Sequence, residues 1–291
     1  MAKLFVILLA LCTSIAHAAS PTVEPVRMAL TDAMFTGEPE TRARWADYLA
    51  RKLGRPILFV ERRSYSDIQQ LLRLGDVDFA WVCGLPYVIS ARQHLVRYVV
   101  TPKFNGSATY RIYLITSAAR QDVDAKSLRG RIFAFSDPDS VSFRALVTGA
   151  VHPVDPIGDL NRFFAVYFFT FNHTDTIRAV ADGLADAGSV DGQMWDITAH
   201  TEPQTVRRTR VIARSQDYGL PPIVAAAHVS DALLARMRNA LTGMSGDQEG
   251  KRILARFRID GFEVYPDALY DSIRTGPARE PLSVPPRWRA K

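Results

Sequence analysis

The sequence predicts an α/β fold with two lobes, and three observations carry that prediction. Stretches with apolar residues at helical spacing alternate with short runs of β-branched and aromatic residues, the pattern of strands covered by helices on both faces. Near Tyr110 this rhythm breaks, because one strand follows another with only the turn Pro102-Lys103-Phe104-Asn105-Gly106 before it. The 291 residues, 47% of them hydrophobic, suffice for two domains of roughly 100 to 150 residues each.

The chain opens with Lys3 and an apolar run from Leu4 to Ile15, followed by the small residues of Ala16-His17-Ala18. This reads as a secretory signal peptide over residues 1–18, cut before Ala19. Leu11 rather than a small residue precedes Cys12, so a lipid-anchored reading is disfavoured. Cleavage removes Cys12 and leaves Cys83 alone, which excludes an internal disulfide. Trp81-Val82-Cys83 ends an apolar strand, so Cys83 reads as a packing residue. The longest later apolar run, Phe163 to Phe171, is about half of the roughly 18 residues a membrane helix needs.

Glu38 to Leu53 predicts a helix, with Trp45, Leu49 and Leu53 on one face and Gly54 as its stop. Pro56 to Val60 predicts a strand. Ser66 and Gln69 form a capping box for a helix from Asp67 to Leu74, ended by Gly75 before the strand Val77 to Val82. A helix from Leu85 to His94 and a strand from Leu95 to Val100 continue a parallel-sheet pattern, and Tyr110 to Thr116 is the strand that crosses between lobes. The second set comprises the strand Arg131 to Phe135, a helix from Phe143 to Gly149, the strand Phe163 to Phe171, a helix from Thr174 to Gly183 and the strand Ala187 to Val190. After the strand Val211 to Ser215 the chain crosses back, adding the strand Ile223 to Ala227 and helices Asp231 to Leu241 and Asp247 to Phe257. Lobe 1 is thus expected over residues 19–110 with 215–274, and lobe 2 over 111–214. The tail, 275–291, holds four prolines and reads as extended. Two lobes joined by two crossings imply a cleft and a hinged clamp.

Between a strand and a helix lies Asp137-Pro138-Asp139-Ser140-Val141-Ser142. Free backbone N–H groups, the helix dipole and two hydroxyls would converge there on an anion. Plain helix capping is the competing reading, since Ser and Asp are favoured caps. The charge balance is mildly basic: 36 Lys and Arg against 30 Asp and Glu, and 35 against 30 once Lys3 is removed with the signal. No basic run or nucleic-acid motif accompanies it, so nucleic acid is set aside. The six histidines show no metal-ligand spacing, and no metal or cofactor is implied.

Several segments in order resemble the periplasmic substrate-binding proteins of phosphate, phosphite and phosphonate ABC transporters. They include Arg44-Trp-Ala-Asp-Tyr-Leu49, Tyr65-Ser-Asp-Ile68, Leu74-Gly-Asp-Val-Asp-Phe-Ala-Trp81, Leu128-Arg-Gly-Arg-Ile-Phe-Ala-Phe135, the turn above, His173-Thr-Asp-Thr-Ile177, Gly183-Leu-Ala-Asp-Ala-Gly-Ser-Val-Asp191 and Gly250-Lys-Arg-Ile-Leu-Ala255. The resemblance implies the type II periplasmic-binding fold, periplasmic location, a small oxyanion ligand and an inner-membrane ABC permease as partner, with the chain a monomer. A family turn of Ser-Thr-Ser-Gly appears here as Ser140, Val141, Ser142 and Phe143, which keeps two hydroxyls, removes one donor and offers a ring to narrow the cleft or to cover an apolar part of the ligand.

By the same resemblance His173 donates to the anion, with capping and packing as its alternative. Tyr65 and Tyr110 supply phenolic hydroxyls from the other lobe, with Tyr87 and Tyr113 as competitors. Asp191 faces the cleft and recognises a ligand amine or a protonated oxyanion, or else caps the helix Gly192 to Ala199. The implied function is capture of a phosphonate-like oxyanion for the permease. A sensing clamp acting on a membrane histidine kinase or chemoreceptor is the alternative. A hydrolase is a remote one, because Ser142, His173 and Asp191 have triad residue types but no Gly-x-Ser-x-Gly motif is present.

Overall fold

Segments of alternating apolar pattern close into two mixed sheets, each with its own helices. The structure, a computed structural model, describes residues 24–31, 39–120, 126–146 and 160–276. The expected signal peptide (1–18), the end of the helix expected to reach Gly149 and the tail beyond Gly276 lie outside these residues.

The first stretch runs β1 (Val26–Thr31), α1 (Pro39–Leu53), β2 (Ile57–Arg62), α2 (Tyr65–Leu74), β3 (Phe79–Trp81), α3 (Gly84–Arg92) and β4 (Val96–Lys103). Trp45, Leu49 and Leu53 are all buried on one face of α1, as their spacing predicts. Trp45 stacks on Phe59 at 5.1 Å and meets Phe257 edge-on at 5.1 Å, forming the centre of the first core. The cap of α2 differs from expectation. Ser64, not Ser66, accepts the Asp67 N–H, so the helix starts two residues early and brings Tyr65 into its first turn. Gly75 then ends it in the left-handed region at φ 74°, where glycine meets no Cβ penalty.

The second stretch runs β5 (Thr109–Ser117), β6 (Ile132–Phe135), α4 (Val141–Leu146), α5 (Leu160–Phe163), β7 (Val166–Phe169), α6 (His173–Ala181), β8 (Ala187–Asp191), α7 (Gly192–Thr201), α8 (Pro203–Arg207) and β9 (Thr209–Gly219). The run Phe163 to Phe171 is therefore not one strand. Phe163 closes α5 and packs edge-on against Phe164, while Phe171 stands beyond β7 at φ 59°. The chain returns through β10 (Ile223–Ala226), α9 (Asp231–Thr242), α10 (Gln248–Phe257), β11 (Gly261–Glu263) and α11 (Asp271–Thr275).

The first sheet has the order β11-β4-β10-β3-β1-β2, and the second β7-β6-β8-β5-β9. β1 lies parallel to β2 and β3, but β10 inserts between β3 and β4 and is antiparallel to both. The expected parallel sheet is thus mixed, because a strand from the far end of the chain separates two strands adjacent in sequence. β5 and β9 pair along their length, from Thr109 opposite Gly219 to Ser117 opposite Thr209. This pairing carries β9 past the boundary expected at residue 215, so the chain passes between the sheets at 104–108 and 220–222.

Candidate functional site

The C-terminal ends of several strands converge where the two sheets face each other, the place where α/β sheets collect ligands. β2 delivers Tyr65 at the start of α2, β3 delivers Cys83 at the start of α3, and β6 leads into the turn 136–140. β7 leads to His173 at the start of α6, and Asp191 ends β8. Tyr110 enters on β5, just past the first crossing. Tyr65, Cys83, Tyr110, Ser136, Asp137, Ser140, His173 and Asp191 are all buried.

A clasp joins the two sides. The Tyr65 backbone N–H donates to Asp137 Oδ2 at 3.0 Å, while Asp137 Oδ1 accepts the Asp139 N–H at 2.7 Å. Burial raises the Asp137 carboxyl to about 7 despite these two donors, which pull the other way. The serines of the turn are engaged with one another. Ser140 Oγ donates to the Asp137 carbonyl at 2.8 Å and accepts the Phe143 N–H at 3.0 Å, so Ser140 caps α4. Ser142 Oγ lies 2.9 Å from Ser140 Oγ and 3.2 Å from Ser136 Oγ.

The other side is a buried imidazole and carboxyl. His173 Nδ1 accepts the Asp191 backbone N–H at 3.2 Å, which assigns the ring proton to Nε2. Nε2 sits 3.4 Å from Asp191 Oδ2. Burial pushes the Asp191 carboxyl up to about 8 and His173 down to about 3, so near neutral pH both are uncharged. Asn172, not His173, caps α6, and Asp191 makes no capping bond to α7. Four atoms here are buried without a hydrogen-bond partner of good geometry: Tyr65 Oη, Tyr110 Oη, His173 Nε2 and Asp191 Oδ1. They belong to one neighbourhood. Asp191 and Cys83 act electrostatically on both phenols, and Tyr65 acts on Tyr110.

Residues 38–270, most of the chain, match the family of ABC transporter, phosphonate, periplasmic substrate-binding proteins. The chain belongs to this family.

Its fold agrees with solved structures of related proteins. A binding protein component of an ABC phosphonate transporter (PA3383) from Pseudomonas aeruginosa superposes with a TM-score of 0.77 at 18% identity, covering 86% of this chain and 84% of that one. PhnD1 from Prochlorococcus marinus, in complex with methylphosphonate, gives 0.72 at 17% identity over 88% and 97%. XAC2383 from Xanthomonas citri, bound to chloride ion, gives 0.70 at 15% over 87% and 95%. The fold is thus the type II periplasmic-binding fold, and the phosphonate-binding family comprises transporter substrate-binding proteins rather than enzymes.

Within this family member, six of the residues singled out in sequence lie where the sheets meet: Tyr65, Tyr110, Val141, Ser142, His173 and Asp191, with Ser140 beneath them as a cap. Tyr87 does not join them. Its hydroxyl donates to Asp267 at 3.0 Å and its ring packs on Tyr270 at 4.7 Å, because α3 turns that face toward the C-terminal segment. Tyr113 lies under Arg214 and beside Trp195. Phe143 also departs from expectation, its ring packing on Phe135 at 4.8 Å and Phe169 at 5.3 Å in the second core instead of narrowing the cleft. Asp137, Ser136 and Cys83 were not picked out as site residues. Asp137 and Cys83 could have been found as polar positions at C-terminal strand ends. Among the described residues no group of three or more His, Cys, Asp or Glu is arranged to hold a metal.

Proposed function

We propose that the protein captures a small phosphorus oxyanion, of the phosphonate or phosphite class, between its two sheets and delivers it to an inner-membrane ABC permease. The observation that carries this reading is the set of four buried, unpartnered polar atoms on Tyr65, Tyr110, His173 and Asp191. A buried polar group without a partner costs about 1–3 kcal/mol, and native proteins keep few of them. Four in one neighbourhood are accounted for by a ligand that accepts from them together. Both phenols, the imidazole Nε2–H and the protonated Asp191 are donors, and a phosphonate supplies acceptor oxygens. The charge of the anion is met by oriented dipoles in a water-poor site, not by a lysine or arginine in this set.

The family supports the transport role, and the methylphosphonate complex of PhnD1 supports the ligand class. In this reading lobe 1 and lobe 2 bend at the two crossings and close on the ligand, Asp137 clasps Tyr65 across the seam, and the exported chain works as a monomer. Ser140 and Ser142 act from behind, by fixing the turn that presents Val141. Mass spectrometry of small molecules released from the purified protein, with a thermal-shift panel of phosphonates, phosphite, phosphate and sulfate, tests the proposal. A phosphonate or phosphite at about 100 times its dissociation constant adds about 2.7 kcal/mol of stability. No shift with any phosphorus oxyanion, or a larger one with sulfate, refutes it.

A further inference from the structure

We infer that Cys83 lines the ligand seat and sets which substituent on phosphorus is accepted, favouring hydrogen or a small alkyl group over a further oxygen; this rests on the phosphonate reading above. Cys83 ends the β3 segment at the start of α3, is fully buried and is a free thiol. Its sulfur lies beside the Tyr65 hydroxyl and in the electrostatic neighbourhood of Tyr110, Asp191 and Asp137. Three of those residues carry the unpartnered atoms assigned to the ligand. The backbone N–H groups of Leu85 and Val141 also approach the sulfur, although the side chain forms no capping bond to α3. Cys83 is therefore a member of the first buried cluster at the point where the backbone of Val141, from the other side of the site, reaches it.

The chemistry of the thiol gives the selection. Burial pushes it up to about 12, so it is an uncharged S–H, a weak donor and a weak acceptor. A phosphoryl oxygen pressed against it loses water and gains little, whereas a hydrogen or methyl group gains dispersion contact with a polarizable atom. Val141, whose backbone N–H approaches the sulfur, belongs to the same buried cluster as Cys83, Tyr65 and Tyr110, so an apolar side chain joins the thiol in this part of the site. Phe143, the other apolar candidate in the turn, is turned into the second core and leaves this role to them.

The test compares wild type, Cys83→Ser and Cys83→Ala by titration calorimetry with methylphosphonate, ethylphosphonate and phosphate, with melting curves to establish folding. In Cys83→Ser the preference for methylphosphonate over phosphate narrows about tenfold or more, because a hydroxyl hydrogen-bonds the fourth oxygen. In Cys83→Ala methylphosphonate stays ahead of phosphate, and ethylphosphonate gains on it several-fold as room opens. Should the serine variant fail to fold, the alanine readout alone decides. If neither ratio moves in folded variants, Cys83 is a packing residue and the inference falls while the phosphonate reading stands. If wild type binds none of the three ligands, the phosphonate reading falls and takes this inference with it.

Discussion

On the proposed site, Asp191 is expected to make ligand capture proton-coupled, with a size that follows from its burial. Its carboxyl is raised from an ordinary 3.8 to about 8 at the buried position it holds between the sheets, which stands for the closed form, with burial as the cause. His173 beside it is driven down to about 3 and stays neutral, so it provides no compensating charge. Tyr65, Tyr110 and Cys83, which also face Asp191, are all raised and stay protonated at neutral pH. In an open cleft the carboxyl is hydrated and titrates near its ordinary value. The closed form then holds one proton more than the open form between the two values, so Asp191 alone weakens binding about tenfold per pH unit from about pH 4 to about pH 8, and not beyond. Calorimetry in buffers of differing ionisation enthalpy counts this proton directly. Near about pH 6.5 wild type takes up about one proton more than Asp191→Asn, and near about pH 9.5 the difference shrinks to about zero. Comparing the two proteins cancels the ionisation of the ligand and of Asp137. Equal proton uptake in both at the lower pH would refute the neutral-acid assignment.

Tyr65→Phe and Tyr110→Phe each weaken methylphosphonate binding by about 1.5–3 kcal/mol, the worth of a hydrogen bond to a charged group, yet leave unliganded melting nearly unchanged because Tyr110 Oη has no partner and Tyr65 Oη has beside it only the weakly bonding Cys83 thiol; a loss of unliganded stability above about 1 kcal/mol argues against the assignment. Asp137→Ala removes the acceptor of the Tyr65 N–H across the seam and weakens ligand binding about tenfold or more, while Asp137→Asn, which keeps an acceptor oxygen, recovers most of it in the same titration. Phe143→Ala destabilises the chain by about 3–5 kcal/mol in chemical denaturation but leaves the ranking of ligands unaltered, since its ring fills the second core. A changed ranking there would return Phe143 to the cleft.

Local pattern made much of this molecule legible in sequence. Trp45, Leu49 and Leu53 announced the buried face of α1, and Gly75 its neighbour's end, because helical periodicity and glycine's left-handed freedom are local properties. The insertion of β10 between β3 and β4 was not legible, since strand order depends on a segment more than a hundred residues away. Tyr87 illustrates the limit at the site. Its place on a helix start was readable, but the direction of its ring is set by Asp267 and Tyr270, in a short C-terminal element without apolar periodicity. Phe143 shows the same limit from the other side, because a six-residue helix sets which of Val141 and Phe143 points to which core. Ser140 satisfied the capping alternative to direct anion contact. The proton states of His173 and Asp191 required their depth, which spacing does not encode.

A crystal structure of the protein grown with methylphosphonate tests the central claim most directly. The ligand is expected enclosed between the two sheets, with its oxygens within about 2.6–3.2 Å of Tyr65 Oη, Tyr110 Oη, His173 Nε2 and Asp191 Oδ1. Methylphosphonate bound instead on the outer face of α1 and α10, in the groove lined by Arg44, Arg252 and Arg256, with the four buried atoms still unpartnered, would contradict it.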